Sequence, residues 1–436
     1  MSRLRRFLVS RKTTTTIVVL LVFFFVVASL FPQRFVTSSL KMQEWRYEHP
    51  VRAAIAERLG MDHVYTTPWF AILLFFLVCS LAVSLLEQFA LASEKSRGMK
   101  SLSGLKAALS SASVEDIGTV ANTFGYSKVF SGEKDVHFIK NRWGYWGSFL
   151  LHLGIFVVIA SSLIIAVTQK RGAAHLVEGE TFSPGDPLLA EERGILAGHF
   201  TLKDAIRLDR VSLDFWENHM IKQIYSDITI FSNGEQQMTI AVSSKLKHKG
   251  ILTYQSLDFG HAFFLELKGD DGAIRRELLL IRHPQSIEKP AYEDFILTGT
   301  PYALKAKYFA DAGMKSIQSE NPLLILRLMD GNAMTGQSSL TIGTAAQLGT
   351  FRVSLIRVAK WTDLYFADFR GLPGVFAGFC LLLAGGLMYY FLPPRQIIVS
   401  KEENGYHIYV KAERFPEFYR EEFQEIMKRL GESSSV

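Results

Sequence analysis

His152 stands alone in the apolar run Trp146-Gly-Ser-Phe-Leu-Leu-His-Leu-Gly-Ile-Phe-Val-Val-Ile-Ala160, with no Asp, Glu, Lys or Arg between Gly144 and Thr168. An imidazole in hydrocarbon must satisfy its polar nitrogens locally, and ionisable groups at such depth handle protons, ions or a bound metal centre. The plainer reading is a histidine hydrogen-bonded within its helix bundle, with Ser148 one turn back as the nearest partner. The other histidines are weaker signals for metal chemistry. His175, His199, His219, His248, His261 and His283 are dispersed along the chain with no close pair at ligand spacing, and read as surface or turn residues. His137 and His407 fall on expected strands and read the same way. His49 and His63 are placed near the outer mouth of the expected helix bundle.

The two cysteines, Cys79 and Cys380, both fall in apolar segments, so disulfide and thiol chemistry have no place in the polar part of the chain. No phosphate-binding glycine loop, dinucleotide fingerprint, HExxH or nucleophile elbow is present. The net charge of +6 sits largely beside apolar segments, which fits membrane topology better than nucleic-acid binding.

The elements that must position His152 follow from hydropathy. With 436 residues and 48% hydrophobic content, the chain reads as an α-helical integral membrane protein with four transmembrane helices. The expected spans are residues 16–32, 69–88, 146–168 and 372–392, each near the ~20 residues that cross ~30 Å of hydrocarbon. Val27-Ala28-Ser29 resembles a signal-peptidase site, but three further spans favour an uncleaved anchor. Residues 1–15 carry five Lys or Arg among the first twelve and no acid, which places the N-terminus inside; four spans return residues 393–436 to the same side. Basic residues in 89–145 agree, whereas Arg34, Lys41, Arg46, Arg52 and Arg58 in the outer loop 33–68 weaken the charge asymmetry.

Residues 169–371 then form a large, mainly-β extracytoplasmic domain between spans 3 and 4. Alternating runs at Ser226-Asp-Ile-Thr-Ile-Phe-Ser232, Gln237-Met-Thr-Ile-Ala-Val242, Phe263-Phe-Leu-Glu-Leu-Lys268, Arg276-Glu-Leu-Leu-Leu-Ile-Arg282, Leu323-Leu-Ile-Leu-Arg-Leu-Met329 and Phe351-Arg-Val-Ser-Leu-Ile356 read as strands. Ser232-Asn-Gly-Glu, Gly269-Asp-Asp-Gly-Ala and Asp330-Gly-Asn read as the turns of one or two sandwich or barrel-like units. Inside, 89–145 starts with a Ser, Lys and Gly-rich linker and reads as a compact αββ piece, with its helix near 114–123. In a separate C-terminal piece, His407-Ile-Tyr-Val-Lys reads as a strand and 417–430 as an amphipathic helix; the Gly-Glu-Ser-Ser-Ser-Val tail reads as disordered. In the third span, Gly147, Gly154 and Ser161 recur every seven residues as a stripe that admits a helix or flat ligand, and Gly374-Val-Phe-Ala-Gly378 is a packing pattern. His152 projects ~140° from Gly147 at 3.6 residues per turn, on a separate face.

Several local sequences, in this order, resemble the ResB (CcsB) family of system II cytochrome c biogenesis proteins. They are Phe31-Pro-Gln33, Pro68-Trp-Phe70 with Leu85-Leu-Glu87, and Lys140-Asn-Arg-Trp-Gly-Tyr-Trp-Gly147 leading to His152-Leu-Gly154. Tyr254-Gln-Ser256 and Pro373-Gly374 continue the likeness, which covers nearly the whole chain. Leu372 replaces an acid before Pro373, and Ser244-Lys-Leu-Lys247 stands where an Asn-x-Pro-Leu turn is common.

The resemblance implies a subunit that relays haem across the bacterial cytoplasmic membrane with a CcsA- or ResC-like partner and helps present it to apocytochrome c. That partner carries a tryptophan-rich haem-binding loop; here six tryptophans are dispersed, so this chain is expected to be one part of a holocytochrome c synthase without a complete catalytic apparatus. The implied cofactor is haem b held in transit. His152 is the candidate axial ligand to its iron, Phe149 and Phe156 the possible flanking contacts, and lipid the surroundings. A scaffold or apocytochrome chaperone that binds no haem, or a membrane-anchored ligand sensor, are the alternatives.

Overall fold

The computed structural model describes residues 10–37, 39–98, 107–110, 112–217, 220–269, 272–284, 286–318, 321–402 and 405–430. The basic stretch 1–9, the linker 99–106, His219 and the tail 431–436 lie outside them. Eight helices are described: α1 Arg11–Ser29, α2 Ser39–Glu48, α3 Pro50–Leu59, α4 Pro68–Ser96, α5 Val114–Thr123, α6 Trp146–Thr168, α7 Leu372–Phe391 and α8 Arg420–Arg429. Four of them, α1, α4, α6 and α7, are long and apolar enough to cross a membrane. The chain divides into two compact units, one of Met1–Val26, Thr67–Val167 and Arg370–Val436, the other of Val27–Thr66 and Thr168–Phe369.

In the first unit the long helices start where the backbone allows. Pro68 opens α4 in its first turn after Thr67, and Pro373 lies in the first turn of α7, positions where a missing N–H costs nothing. Ile17 and Leu21 of α1, Phe70, Leu74 and Leu77 of α4 and Ala166 of α6 form one buried cluster. Helices α6 and α7 meet through their small residues. A Cβ added at Gly154 would lie 2.7 Å from the Leu382 nitrogen, one at Gly378 2.9 Å from the Val158 nitrogen, and one at Gly385 2.6 Å from the Leu151 nitrogen. Only hydrogen fits at these points, so the Gly147, Gly154 and Ser161 stripe is a helix-packing seam.

The sequence separates 89–145 from 393–436, but the structure joins them. Ala107–Ser110, Gly405–Ala412, Arg395–Glu402, Asp135–Lys140 and Ser127–Ser131 form one antiparallel five-stranded sheet in that order. Its central strand, Arg395–Glu402, was not expected; it forms a hairpin with Gly405–Ala412 and pairs on its other side with Asp135–Lys140, far back in the chain. Helix α5 begins with a reciprocal cap: Ser113 Oγ accepts from the Asp116 N–H at 3.2 Å, and Asp116 returns a bond to the Ser113 N–H. Ile117 and Ala121 of α5 join Phe423, Ile426 and Met427 of α8 over Phe138, Ile397, Val399 and Ile408 of the sheet. Glu422 of α8 fixes the docking by accepting from Arg395, Lys140 and the Tyr126 hydroxyl.

The second unit is mainly β. Its spine is the antiparallel pair Ile251–Gly269 and Phe351–Asp368, flanked by Lys170–Val177 and Ile274–Arg282. One half of the spine covers the sheet Ala291–Ile296, Tyr302–Phe309, Leu323–Asp330 and Ala333–Leu340 around Phe263, Leu265, Leu326 and Leu355. The other half covers Thr181–Phe182, Ala205–Phe215, Ile221–Phe231 and Glu235–Ala241 around Leu208, Ile228, Leu364 and Phe366. The expected one or two sandwiches are thus two cores on one shared pair of strands. Irregular register between Gln255 and Phe259 and between Phe264 and Leu265 re-aims side chains along the spine. The six strands expected from alternation all coincide with observed strands, with Ser232 and Val242 falling one residue beyond the strands that end at Phe231 and Ala241, and Asp270 and Asp271 of one expected turn fall outside the described residues. Helices α2 and α3, in the first long loop, were not expected.

Gly154→Ala should weaken the α6–α7 seam by about 1–3 kcal/mol, because the added methyl meets main chain that cannot step aside. Gly386→Ala, whose Cβ would find nothing nearer than Leu151 Cδ2 at 3.9 Å, should stay within about 0.5 kcal/mol. Unfolding of the two variants in detergent measures the difference.

Candidate functional site

His152 lies in the first half of α6, and its own helix fixes its chemistry. Nδ1 is 2.7 Å from the Ser148 carbonyl oxygen. A carbonyl only accepts, so Nδ1 carries the hydrogen, and in the neutral ring Nε2 is left as a lone-pair donor. This is the arrangement of metal-ligating histidines, in which one nitrogen donates to a carbonyl and the other faces the metal. Ser148 thus serves through its main chain; its hydroxyl donates to Gln88 Oε1 of α4 at 3.3 Å.

Phe149, His152 and Phe156 fall at i, i+3 and i+7 on α6, along one stripe. The Phe149 ring is 5.5 Å from Phe89 of α4 and 5.7 Å from Trp146, and Phe89 and Trp146 are themselves 5.5 Å apart, all edge to face. Phe149 is therefore one corner of an aromatic triad that ties α4 to α6 immediately before His152. Phe156 and His152 are half-buried. The seam with α7 uses Gly147, Gly154 and Ser161, and the bond that positions His152 lies within α6.

The histidines of the β unit are less dispersed in space than in sequence. His199 is a surface residue with 73% of its side chain exposed, and His248 pairs with Asp204 at 2.7 Å. His175 Nδ1 lies 2.7 Å from Asp363 Oδ1, and its ring leans on Trp361 with centroids 4.3 Å apart. His261 departs from the expected surface reading. It is buried, with Nδ1 2.6 Å from the Tyr308 hydroxyl, and its ring centroid is 5.8 Å from that of His283, which stacks on Phe259. The signal was in the hairpin: Gly260 pairs with Arg282 and His261 with Ile281, so one further step from the turn sets His283 diagonally beside His261. Burial, with the nearby Lys360 charge, lowers His261 to about 3 and His283 to about 4. Among the described residues no group of three or more His, Cys, Asp or Glu side chains is placed to hold a metal ion.

Sequence reasoning also missed a buried polar knot in the first long loop. Arg34 Nε donates to Asp62 Oδ2 at 2.6 Å, and His63 Nδ1 lies 2.6 Å from Asp62 Oδ1. Asp62 is 1% exposed; burial alone would raise its carboxyl, and the His63 hydrogen bond with the Arg34 charge outweighs that and holds it below the usual range. Thr66 Oγ1 donates to Glu192 Oε1 at 3.1 Å, whose carboxyl is raised by burial.

The chain therefore holds four apolar helices, one carrying a preset imidazole, and a large β unit. Residues 11–424 match the ResB-like family, and the chain belongs to it. The resemblance read from Phe31-Pro-Gln33, the approach to His152 and Tyr254-Gln-Ser256 is thereby borne out. Cytochrome c biogenesis protein CcsB of Microcystis aeruginosa is 25% identical over 391 residues, covering 85% of this chain and 82% of its own. CcsB of Nostoc sp. is 24% identical over 399 residues, covering 88% and 82%. The chloroplast cytochrome c biogenesis protein CCS1 of Arabidopsis thaliana is 23% identical over 367 residues, covering 80% and 64%.

Because His261 and His283 sit below their unfolded value of ~6.5, their stabilisation is complete above that pH and declines as pH falls toward 4 and then 3. The unfolding midpoint should drop across that window, and His261→Gln with His283→Gln should flatten the slope by up to about 1.4 kcal/mol per pH unit for each proton removed. Thermal unfolding between pH 8 and pH 4 tests this.

Proposed function

We propose that this chain is a membrane subunit of the system II cytochrome c maturation machinery, in which His152 ligates haem iron on its way across the bacterial cytoplasmic membrane. Membership of the ResB-like family and the names of the CcsB and CCS1 relatives support the role in cytochrome c maturation. The observation that carries the haem assignment is the Nδ1 bond to the Ser148 carbonyl, which leaves Nε2 as a ligand in an apolar helix. The residues fit one axial position. The second ligand is assigned to a CcsA- or ResC-like partner with a tryptophan-rich loop.

In this reading α1, α4, α6 and α7 span the bilayer with both chain ends inside, and the β unit stands outside. Ser148 holds the imidazole in the ligating tautomer, and the Phe89, Trp146 and Phe149 triad sets the α4–α6 spacing beside it. Bound haem supplies the vinyl groups that become thioether links. The outer β unit, whose described residues include no cysteine, holds the apocytochrome without competing for its thiols.

The chain, co-expressed with its CcsA-like partner and purified from detergent, should show a Soret band with sharp α and β bands in the reduced spectrum. His152→Ala should lower haem occupancy on the order of tenfold or more. Ser148→Ala should retain haem, because the main-chain carbonyl survives, and so should His199→Ala on the exposed surface. Equal occupancy in wild type and His152→Ala removes the haem assignment, and a colourless, fully assembled complex makes the chain a scaffold.

A further inference from the structure

Phe35 adopts φ of 58°, a left-handed conformation that a bulky side chain rarely takes. Its ring meets Tyr365 edge to face with centroids 5.9 Å apart. Backbone of this kind persists only where surrounding contacts hold it, and such positions concentrate at ligand clamps. Two cavities, of about 290 and 580 Å³, share Thr37 and Tyr365 in their walls. Together they reach the size range of small-molecule sites.

The lining is apolar and cationic at once. Phe35, Met42, Leu189 and Tyr365 give the smaller cavity its apolar walls, and Arg34 and Arg46 give it two guanidiniums. Lys41 and Arg282 line the larger. The opposing lining charges are Glu191 in the first and Asp258 in the second, where Asp258 accepts from Arg282 at 2.6 Å. The arginines are preset. Arg34 is fixed by Asp62 at 2.6 Å and Arg46 by Glu57 at 2.7 Å, each ion pair engaging part of a five-donor fork. Their side chains remain 31% and 41% exposed, so a solute reaches them. Arg46 Nε is buried without a hydrogen-bond partner among the described residues.

Aromatic walls beside paired guanidiniums match a flat apolar ring that ends in carboxylates, because guanidinium recognises carboxylate in plane and aromatic faces stack. We propose that this recess in the β unit is a second tetrapyrrole site, independent of iron ligation. It takes the dicarboxylate edge on Arg34 and Arg46 and the macrocycle against Phe35 and Tyr365. The inference deepens the haem-handling reading and rests on it. It gives the outer unit a means of holding the cargo by its propionates, with the metal left accessible.

The test uses the full chain in nanodiscs of neutral phosphatidylcholine, with His152→Ala to silence the span. The probes are zinc protoporphyrin IX and its dimethyl ester, which lacks the carboxylates. The free acid should bind saturably at one equivalent and at least about tenfold more tightly than the ester. Arg46→Gln should erase most of that preference while leaving ester binding unchanged. Arg34→Gln should do the same, but its ion pair with buried Asp62 makes it the second choice, accepted only if thermal unfolding matches the parent. Equal binding of acid and ester overturns the proposal, as does a preference that survives Arg46→Gln. Displacement of the free acid when phosphatidylglycerol enters the discs also overturns it, assigning the recess to a lipid headgroup. Because the probes contain no iron and the variant lacks His152, this result is separable from the reduced-spectrum test of the span.

Discussion

A polar ring on an apolar helix has to satisfy its N–H on the spot, since apolar surroundings offer no hydrogen-bond partner to do it. That constraint organises the helical unit that carries His152. In α6 the carbonyl one turn back from His152 takes the Nδ1 hydrogen, and a choice of tautomer that water would leave open becomes fixed. The same economy appears around it. Ser148 sends its hydroxyl to Gln88 on α4, and three aromatic rings lock the two helices just before the histidine. Glycine does the converse work on the opposite seam, where α7 approaches so closely that side chains are excluded.

The β unit solves a different problem, which is to hang two hydrophobic cores on one pair of strands. A strand as long as Ile251–Gly269 would present each residue to a fixed face throughout. Irregularities near Gln255–Phe259 and Phe264–Leu265 break that rule and let the two halves face separate sheets. At the first break, Gln255 is buried and bridges Ser226 and Thr362, while Leu257 stands 70% exposed. A polar side chain turned inward and an apolar one turned outward are the local cost of changing faces.

Much of this was legible in the chain. The four long helices declare themselves by composition, because crossing-length apolar runs have few other uses. The hairpins declare themselves by turn residues and alternation, and the ResB likeness by short motifs in order. Other parts were hidden for identifiable reasons. Helices α2 and α3 carry charge on all sides, so they lack the apolar stripe that marks a helix in sequence. Arg395–Glu402 pairs on one side with the neighbouring Gly405–Ala412, but its other partner, Asp135–Lys140, is far away in sequence, and no local pattern announces a pairing of that range. His152 stood out at once, yet its partner atom could not be read, since a backbone carbonyl leaves no mark in the sequence. The Arg34–Asp62 pair and the strained Phe35 belong to the same class: their meaning comes from neighbours that only folding supplies.

The five-stranded sheet has a consequence for how the chain is made. Its middle strand, Arg395–Glu402, is synthesised long after the strand it completes, Asp135–Lys140. Until the late strand arrives, the core that Phe138 joins lacks Ile397 and Val399, and the early hairpin keeps an unpaired edge. Chains broken off before residue 395 keep that edge open, and chains that include the late strand close it themselves.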